Sequence, residues 1–346
     1  MLKAIYLSKK AVFFSSPNPS VGCYIKKNIL GYTKFKGYNH AEINALKNIK
    51  NNKKINIYLT LEPCNYLGLT NSCLEYLINI NIYKIFICKL DNNKNIYNNS
   101  IKILKLKNIK INLGLLNKIY KKINKGYFYK VKNKKPLIRL KIASSIDNKI
   151  CLKNKKSKWI TNKISRINNQ LWRIKSCAII TGIGTILKDN SFINIRNFKK
   201  IKDIKNILID TKLKISLNSN YLKNNYIIIF TNSKNKKKIR KLKKLGIKIF
   251  KIKLNNKKLN FKRIIEKISF LKINEIQFES GFSINNTLIS LNKINEILIY
   301  LSPIILGKSN NIFNFKIIKK IIYSIKYNFE SIKYFNKDLR ILLKKI

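Results

Sequence analysis

The chain has a single histidine, His40, and few acidic residues, glycines or prolines: 14, 11 and five in 346 residues. One histidine excludes any metal site that needs a second imidazole. No apolar segment reaches the 18 residues of a membrane-spanning helix, and no signal-peptide core precedes the polar turn Ser15-Ser16-Pro17. We therefore expect a protein without membrane attachment, in which each scarce residue is more informative than usual.

Basic residues outnumber acidic ones by 74 to 14, a formal net charge of +60. Such an excess is typical of nucleic-acid-binding proteins. Here, however, the lysines are spread along the whole chain among asparagines, and only seven of the 74 are arginine, the residue best suited to base edges and phosphates. The excess therefore favours a drift of composition toward Lys, Asn and Ile, and predicts only weak, salt-sensitive binding to polyanions.

The six cysteines lack the paired spacing of a disulfide framework. Cys23, Cys88, Cys151 and Cys177 lie in apolar, strand-like runs and are predicted to be reduced core residues. Reduced cysteines are typical of the cytosol, so we expect a cytoplasmic protein.

The length suits two domains, and an apolar content of 45% is sufficient for two packed cores. Periodicity predicts helices over 2–12, 40–49 and 72–80 and strands over 21–26, 55–60 and 82–88. After Pro136 a second series begins, with strands over 137–143, 177–181, 204–209, 226–230, 247–250, 275–278 and 296–301. Because such alternation is typical of α/β domains, we predict domains over 1–122 and 137–346, joined by a basic linker over 123–136.

His40 opens the string His40-Ala41-Glu42, and Glu62-Pro63-Cys64 and then Cys73 follow. An imidazole and two thiols can be the protein ligands of a catalytic zinc ion that keeps one position for water. Glu42 projects in a neighbouring direction, where it can act as a proton shuttle without ligating the metal. This pattern is the signature of the zinc-dependent nucleobase deaminases.

The same residues could also form a structural zinc site in a protein that is not an enzyme. A structural site needs a fourth protein ligand, and the chain has no second histidine. A structural site would also leave Glu42 without a role, so the catalytic interpretation is favoured.

The spacing of the cysteines distinguishes between deaminase families. Cytidine and tRNA adenosine deaminases carry C-x-x-C, whereas eight residues separate Cys64 from Cys73 here. In this spacing the chain resembles the deaminase half of the bifunctional riboflavin biosynthesis proteins, the pyrimidine deaminase/reductases. The segment 17–22, Pro-Asn-Pro-Ser-Val-Gly, is similar to the substrate loop of that family, and Asn124-Lys125-Gly126-Tyr127-Phe128 continues the resemblance.

Four strings in the second half resemble the reductase half of the same family. They are the K-x-A-x-S-x-D segment 141–147, the S-x-W-I-T segment 157–161, the T-x-x-x-D…R segment 185–196 and the E-x-G turn 279–281. Each string is weak alone, but four in order at family-like spacing are specific. The resemblance therefore covers nearly the whole chain.

The resemblance implies a cytidine-deaminase-like α/β/α sandwich followed by a dihydrofolate-reductase-like α/β domain. One zinc ion would be bound by His40, Cys64 and Cys73, and Asn18 would contact the deaminase substrate. The absence of G-x-G-x-x-G does not argue against NADPH, because the implied reductase domain is not a Rossmann fold.

The resemblance also assigns reductase residues. Lys141 would be catalytic. NADPH would be bound by Ala143, Trp159, Thr185, Asp189, Gly281, Phe282 and Ser283. The substrate would be bound by Ser157, Arg173, Ile193, Arg196 and Glu279. The two arginines can offer planar forks to a phosphate, and Gly281 lets helix N–H groups approach a pyrophosphate.

The chain departs from the family near Cys64 and before His40. Asn65-Tyr66 replace Ser-His, Leu69 replaces a basic residue that helps to hold the substrate phosphate, and the loop before His40 is short. In the second half, Asn148 replaces a glycine, and Asn190-Ser191 replace Asp-Pro. The metal ligands are complete, but contacts to the deaminase substrate are reduced.

We therefore predict a bifunctional enzyme of riboflavin biosynthesis. It would deaminate a phosphorylated aminopyrimidine with zinc and then reduce the ribosyl group to ribityl with NADPH. Its partners would be these small molecules, with no membrane or specific nucleic acid, and the family implies association into homo-oligomers. Two alternatives stay open. One is a reductase whose deaminase domain is inactive and only stabilised by zinc; the other is a nucleic-acid deaminase, which leaves 137–346 unexplained.

Overall fold

The computed structural model describes residues 1–26, 28–35, 37–47, 49, 54–66, 72–93, 96–154, 158–190, 192–196, 198, 202–313 and 320–346. The chain divides into two compact units, Met1–Lys135 and Pro136–Ile346. None of the helices in these ranges combines the length and apolar composition needed to cross a bilayer.

The first unit alternates strands and helices. Its strands are β1 (Gly22–Lys26), β2 (Ile29–Tyr32), β3 (Ile55–Leu59), β4 (Ile82–Ile87) and β5 (Lys110–Leu113). Its helices are α1 (Leu2–Ala11), α2 (Ala41–Leu46), α3 (Cys73–Ile78), α4 (Asn99–Leu106), α5 (Asn117–Ile123) and α6 (Lys125–Asn133). The strands form one sheet in the order β2-β1-β3-β4-β5.

Two glycines allow helices to pack closely on both faces of this sheet. A Cβ at Gly22 would lie 2.0 Å from the carbonyl oxygen of Ala4 in α1, and a Cβ at Gly31 would lie 2.1 Å from that of Ala41 in α2. Gly31 is paired with Cys23 and so shares its face, whereas Gly22 points to the opposite face. Helices α1 and α2 therefore cover opposite faces, which makes an α/β/α sandwich.

The strand directions bring four segments to one edge of the sheet. Strand β1 is antiparallel to β2 and β3, and β4 is parallel to β3. The start of β1 therefore lies beside the ends of β2, β3 and β4. The segments that carry Asn18, His40, Cys64 and Asp91 all adjoin this edge.

The second unit has a longer strand–helix series. Its strands are β6 (Leu137–Ser145), β7 (Ala178–Gly182), β8 (Lys205–Ile209), β9 (Ile227–Thr231), β10 (Lys248–Lys251), β11 (Leu254–Asn255), β12 (Lys258–Leu259), β13 (Glu275–Phe278), β14 (Glu296–Ser302), β15 (Tyr327–Phe335) and β16 (Asp338–Lys345). Its helices are α7 (Lys163–Lys175), α8 (Ile183–Asp189), α9 (Lys236–Lys244), α10 (Phe261–Ser269) and α11 (Phe282–Ser290), with short 3-10 helices over Asn220–Lys223 and Ile321–Tyr323.

Nine of these strands form a sheet in the order β10-β9-β8-β7-β13-β6-β14-β16-β15. The strands from β10 to β14 in this order are parallel, and β15 and β16 form an antiparallel hairpin at one side. One face of the central strands is apolar, with Leu140, Ile142 and Phe278 in the largest core cluster. The opposite face carries Lys141 and Gln277 and is covered by α7.

The structure differs from the linker prediction over 123–136. Residues 125–133 form helix α6, which belongs to the first unit, and the units separate between Lys135 and Pro136. The lysines that suggested a linker lie beside Asn124 and Gly126, which are buried. The basic composition therefore suggested a linker where the chain forms an amphipathic helix. The contacts that bury one side of this helix are made to other elements of the first unit.

Two further features of the second unit, the hairpin β15–β16 and the turn at Asn148, have local explanations. The hairpin β15–β16 was not predicted, because its outer strand exposes Phe329, Ile332 and Tyr334 and has no simple alternation of buried and exposed residues. Asn148, which stands where the family has glycine, has a φ of 65°. Asparagine tolerates this left-handed conformation better than other residues with a Cβ, so the replacement preserves the turn.

We predict that Gly31→Ala destabilises the first unit by about 1–3 kcal/mol, because the new methyl group must displace the α2 backbone. Chemical unfolding followed by circular dichroism measures this loss. Gly184→Ala is the control, since a Cβ there has no atom within 4 Å. Equal stability of the two variants would contradict the close packing of α2 on β2.

Candidate functional site

Three metal-ligating side chains meet at the sheet edge of the first unit. His40 is the residue that precedes α2, Cys73 is the first residue of α3, and Cys64 lies in the loop between β3 and α3. Their ligand atoms all lie within 4.8 Å of one another. His40 Nδ1 is 3.1 Å from Cys73 Sγ and 3.5 Å from Cys64 Sγ. One imidazole and two thiols at this spacing fit a zinc ion, the cation that such a donor set prefers.

The electrostatics of the three groups also fit a cation. Hydrogen bonds with Cys73 and then His40 lower the pKa of the Cys64 thiol to about 4, although burial opposes this. The pKa of Cys73 is raised, because a second thiolate would sit beside Cys64 in a buried place. The pKa of His40 is raised, chiefly by its hydrogen bond with Cys64. A divalent cation would relieve this repulsion and favour both thiolates.

Glu42 is the carboxylate nearest to these ligands. It is 3% exposed, and its Oε2 lies 3.7 Å from Cys73 Sγ. Burial raises its pKa, while His40 opposes the shift. A carboxyl group that is buried beside the ligands but not among them can exchange protons with a molecule bound at the site.

Main-chain hydrogen bonds hold the loop that carries Cys64. The carbonyl oxygen of Cys64 accepts from Ser72 Oγ and from the Leu74 amide, both at 3.1 Å. Ser100 Oγ donates to the carbonyl oxygen of Pro63 at 2.6 Å. The ligand is therefore fixed from both sides, by α3 and by α4.

Asn18, the predicted substrate contact, lies in the partly buried loop before β1, at the same sheet edge. No hydrogen bond of its side chain to another described residue is found. Leu69 and its neighbours from 67 to 71 lie outside the described residues.

A second polar cluster lies between the central sheet and α7 in the second unit. The Arg173 guanidinium donates to both carboxylate oxygens of Glu279, at 2.6 and 2.7 Å. Gln277 Nε2 and Asn169 Nδ2 also donate to Glu279 Oε1, at 2.8 and 3.3 Å. Burial would raise the pKa of Glu279, but Arg173 outweighs it and lowers the pKa to about 2. Glu279 is therefore an anion over the whole physiological range.

This pairing changes the expectation for Arg173. Its fork was expected to face a substrate phosphate, yet Nε and one terminal nitrogen bind Glu279, and the other terminal nitrogen donates to the Asn194 carbonyl oxygen at 2.6 Å. Sequence spacing could not show that the two residues are partners, because 106 positions separate them.

Lys141 lies on β6, on the same face of the sheet as this cluster. Burial lowers its pKa, while the charge of Glu279 opposes the shift. Its ammonium group lies 5.8 Å from the centre of the Tyr300 ring. Among the described residues, no acceptor for a hydrogen bond from Lys141 Nζ is found. This ammonium group is therefore available to a bound molecule.

Five of the other predicted reductase residues lie near the carboxyl ends of the parallel strands, where ligands bind in open α/β sheets. Ala143 follows Lys141 by two residues on β6, Thr185 lies in the first turn of α8, and Phe282 and Ser283 begin α11. Gly281 precedes α11 without a side-chain cap, so the first N–H groups of that helix can face an anion.

Trp159 is 65% exposed, and the Arg166 guanidinium lies 4.3 Å from its ring centre. Arg196 is exposed, and its Nε donates to Asn194 Oδ1 at 3.1 Å. Ile193 is buried in a core cluster. Ser157 and the side chain of Asp189 lie outside the described part of the chain.

Sequence reasoning missed three residues of this cluster: Asn169, Gln277 and Tyr300. Asn169 precedes Arg173 by one helical turn, and Gln277 precedes Glu279 by two positions, the period of a strand. These spacings place each of them on the face of its predicted partner and could have identified both. Tyr300, whose hydroxyl donates to Asn168 Oδ1 at 2.7 Å, had no comparable pattern.

Comparison with known families assigns a match to each unit. A family model described as "RibD C-terminal domain" matches residues 136–340, and one described as "Cytidine and deoxycytidylate deaminase zinc-binding region" matches residues 1–89. These matches confirm the predicted fold class of both units.

Individual relatives cover the whole chain. A riboflavin biosynthesis protein RibD from Buchnera aphidicola subsp. Baizongia pistaciae is 35% identical, over 100% of this chain and 97% of its own length. The crystal structure of Acinetobacter baumannii RibD is 26% identical, covers 100% of this chain and 97% of its own and gives a TM-score of 0.91.

A shorter relative matches 39% of this chain. A diaminohydroxyphosphoribosylamino-pyrimidine deaminase from Buchnera aphidicola subsp. Schizaphis graminum is 40% identical over 141 residues, which is 39% of this chain and 96% of its own length. The name of this relative is that of a deaminase and includes no reductase.

We predict that Cys64→Ser and Cys73→Ser each lose bound zinc, because hydroxyl oxygen is a poor replacement for thiolate. Loss of a side chain that only hydrogen-bonds to a metal ligand lowers metal affinity by roughly 10–100-fold, and we expect a larger fall when the ligand itself is lost. Metal content after dialysis measures it. Cys88→Ser is the matched control, since Cys88 is also fully buried but lies outside the cluster. Full zinc content in both ligand variants would contradict the assignment.

Proposed function

The chain belongs to the RibD family of riboflavin biosynthesis proteins, and we propose on that basis how its own residues carry out the two reactions. It is a bifunctional enzyme of riboflavin biosynthesis, with a deaminase unit followed by a reductase unit. The observation that carries the deaminase assignment is the meeting of one imidazole, two thiols and a buried carboxyl group at a single sheet edge.

In the deaminase unit, His40, Cys64 and Cys73 would hold one zinc ion. When bound, zinc would supply a Lewis acid that lowers the pKa of water. The substrate is a diaminohydroxyphosphoribosylaminopyrimidine, the compound in the name of the shorter relative. Glu42 takes a proton from the attacking water and delivers it to the ring nitrogen, and it then moves the second proton, from the added hydroxyl group, to the amine, which departs as ammonia while the ring carbon keeps the oxygen as a carbonyl. Asn18, in the loop beside this edge, orients the pyrimidine.

In the reductase unit, NADPH would supply a hydride to C1 of the ribosyl group. As the ribose ring opens, its oxygen needs a proton, and Lys141 is the group we propose to donate it. Its lowered pKa makes it a better acid than an exposed lysine. Glu279 binds a substrate hydroxyl, and Arg173, Asn169 and Gln277 position that carboxylate.

The cofactor would lie along the carboxyl ends of β6, β7 and β13. The start of α11, from Gly281 to Ser283, suits its pyrophosphate, and the open face of Trp159 suits one of its rings. We assign Ala143, Thr185 and Asp189 to the same cofactor from the family pattern. Arg196 is exposed, and it is the arginine we assign to the substrate phosphate. Ser157 and Ile193 are assigned to the same substrate from the family pattern.

The partners proposed here are small phosphorylated pyrimidines. The charge is spread over both units, which supports no specific nucleic-acid site. All six cysteines are free and buried, in keeping with a cytoplasmic location. Association into homo-oligomers remains part of the proposal because the family implies it.

We predict that Glu42→Gln lowers the kcat of ammonia release by roughly 10²–10⁴-fold, because the amide cannot exchange a proton. Zinc content and reductase activity should stay at the wild-type level. Glu75→Gln, a change of the same type at an exposed position of α3, is the matched control. If wild-type protein with zinc bound releases no ammonia, the deaminase unit is inactive and zinc only stabilises it.

We predict that Lys141→Met lowers kcat and kcat/KM of the reductase together, by roughly 10²–10⁴-fold, because a proton donor acts in the transition state. NADPH oxidation with 5-amino-6-(5-phosphoribosylamino)uracil measures it. Lys202→Met, which also removes a buried lysine of this unit, is the control. An unchanged kcat in Lys141→Met would remove Lys141 from the reaction.

A further inference from the structure

We infer that Asn124 and Tyr127, in the α5–α6 segment of the first unit, are positioning residues for the deaminase site. The inference rests on the proposed deaminase function and adds a role for the string Asn124-Lys125-Gly126-Tyr127, which that function leaves unused. Both side chains reach loops that flank the metal ligands. They do so from one short stretch of chain, on either side of the start of α6.

Asn124 holds the loop that carries Asn18. The Ser20 amide donates to Asn124 Oδ1 at 2.7 Å, and Asn124 Nδ2 donates to the Ser20 carbonyl oxygen at 2.9 Å. The Tyr120 hydroxyl donates to the same carbonyl oxygen at 3.0 Å. Asn124 is 5% exposed, so these bonds do not compete with water. Both main-chain groups of Ser20 are therefore fixed by the α5–α6 segment.

A second contact closes the loop itself. Ser15 Oγ and Ser20 Oγ lie 2.8 Å apart, and the Asn18 amide donates to the Ser15 carbonyl oxygen at 2.8 Å. Asn18 thus sits in a short closed loop that is anchored to the α5–α6 segment through Ser20. If that anchor is lost, the loop can shift as a whole and carry Asn18 with it.

Tyr127 holds the segment after β4. Its hydroxyl lies 3.0 and 2.9 Å from the two carboxylate oxygens of Asp91. The Asp91 amide donates to Glu62 Oε2 at 3.1 Å, and the Glu62 amide donates to the Lys89 carbonyl oxygen at 2.9 Å. Glu62 is two residues before Cys64. Tyr127 therefore supports the strand ends from which the metal-ligand loop departs.

The two contacts lie on opposite sides of the site in sequence but converge on α5–α6. The Asn18 loop precedes β1, and the Asp91 segment follows β4, and these strands are separated in the sheet by β3, which leads to Cys64. A segment that binds both can set the spacing between the substrate loop and the metal ligands. A shift of about 1 Å in such spacing can cost a factor of roughly 100 in rate.

The experiment uses the full chain with zinc bound. Asn124→Ala removes both bonds to Ser20, and Tyr127→Phe removes only the hydroxyl and keeps the ring that packs against Phe128 at 5.4 Å. Asn133→Ala is the matched control, because Asn133 lies exposed on the same helix and bonds only to Tyr129 within it. Ammonia release is measured with the aminopyrimidine, and NADPH oxidation with the deaminated uracil supplied separately.

For Asn124→Ala we expect a fall in deaminase kcat/KM of roughly 10–100-fold, mostly as a rise in KM, because a looser Asn18 loop binds substrate less well. Tyr127→Phe should show a smaller loss that falls mainly on kcat. Zinc content and reductase kinetics should match the wild type. Amide hydrogen exchange should quicken at residues 17–22 in the first variant and at 88–93 in the second.

Two results would overturn the inference. One is an unchanged deaminase KM and kcat in both variants. The other is loss of both activities in parallel in both variants, which indicates a general folding defect. Absence of deaminase activity in the wild type would instead count against the proposed function, so the two failures are distinguishable.

Discussion

The contact between α2 and β2 is the constraint on which the deaminase site depends. Only a glycine fits at position 31, because a Cβ there would lie 2.1 Å from the Ala41 carbonyl oxygen. This approach holds the start of α2, and therefore His40 and Glu42, against the sheet edge where the thiols arrive. The first turn of α2 presents the imidazole to the thiols and the carboxyl group beside them.

In the second unit, the polar cluster is built around one carboxylate, that of Glu279. Glu279 accepts hydrogen bonds from Arg173, Asn169 and Gln277, and so remains ionised in a buried place. Those partners satisfy the anion, whereas Lys141 Nζ has no hydrogen-bond acceptor among the described residues. A carboxylate with this many hydrogen bonds is held in one position, whereas an amine without a hydrogen-bond partner can exchange a proton with a bound molecule. This difference is the basis on which we propose that Glu279 binds a substrate hydroxyl and that Lys141 donates the proton.

The few acidic residues are concentrated where a basic residue could not replace them. Of the 14, at least six are buried. Glu296 pairs with the buried Arg139 at 2.7 Å, and Asp210 accepts the amides of Lys214 and Ile215. A lysine at such a position would leave an unpaired buried charge, which is far more costly than a lost surface carboxylate. The net charge of +60 therefore comes mainly from surface residues, while buried carboxylates such as those of Glu296 and Asp210 keep their ion-pair and hydrogen-bond partners.

The sequence by itself determined the two-domain α/β organisation and the family, and it identified the candidate metal ligands and the candidate proton shuttle, because these depend on residue types at short spacings. His40, Glu42, Cys64 and Cys73 could be named from the sequence for that reason. Only the tertiary structure decided that the basic segment after Tyr120 is a helix of the first unit, that Arg173 binds Glu279, and that a hairpin completes the second sheet. The first two depend on partners more than a hundred positions away, and the third depends on the pairing of β16 with β14. Residues that are close together in the sequence define the local chemistry, whereas the fold determines which partner a charged group or an amide contacts.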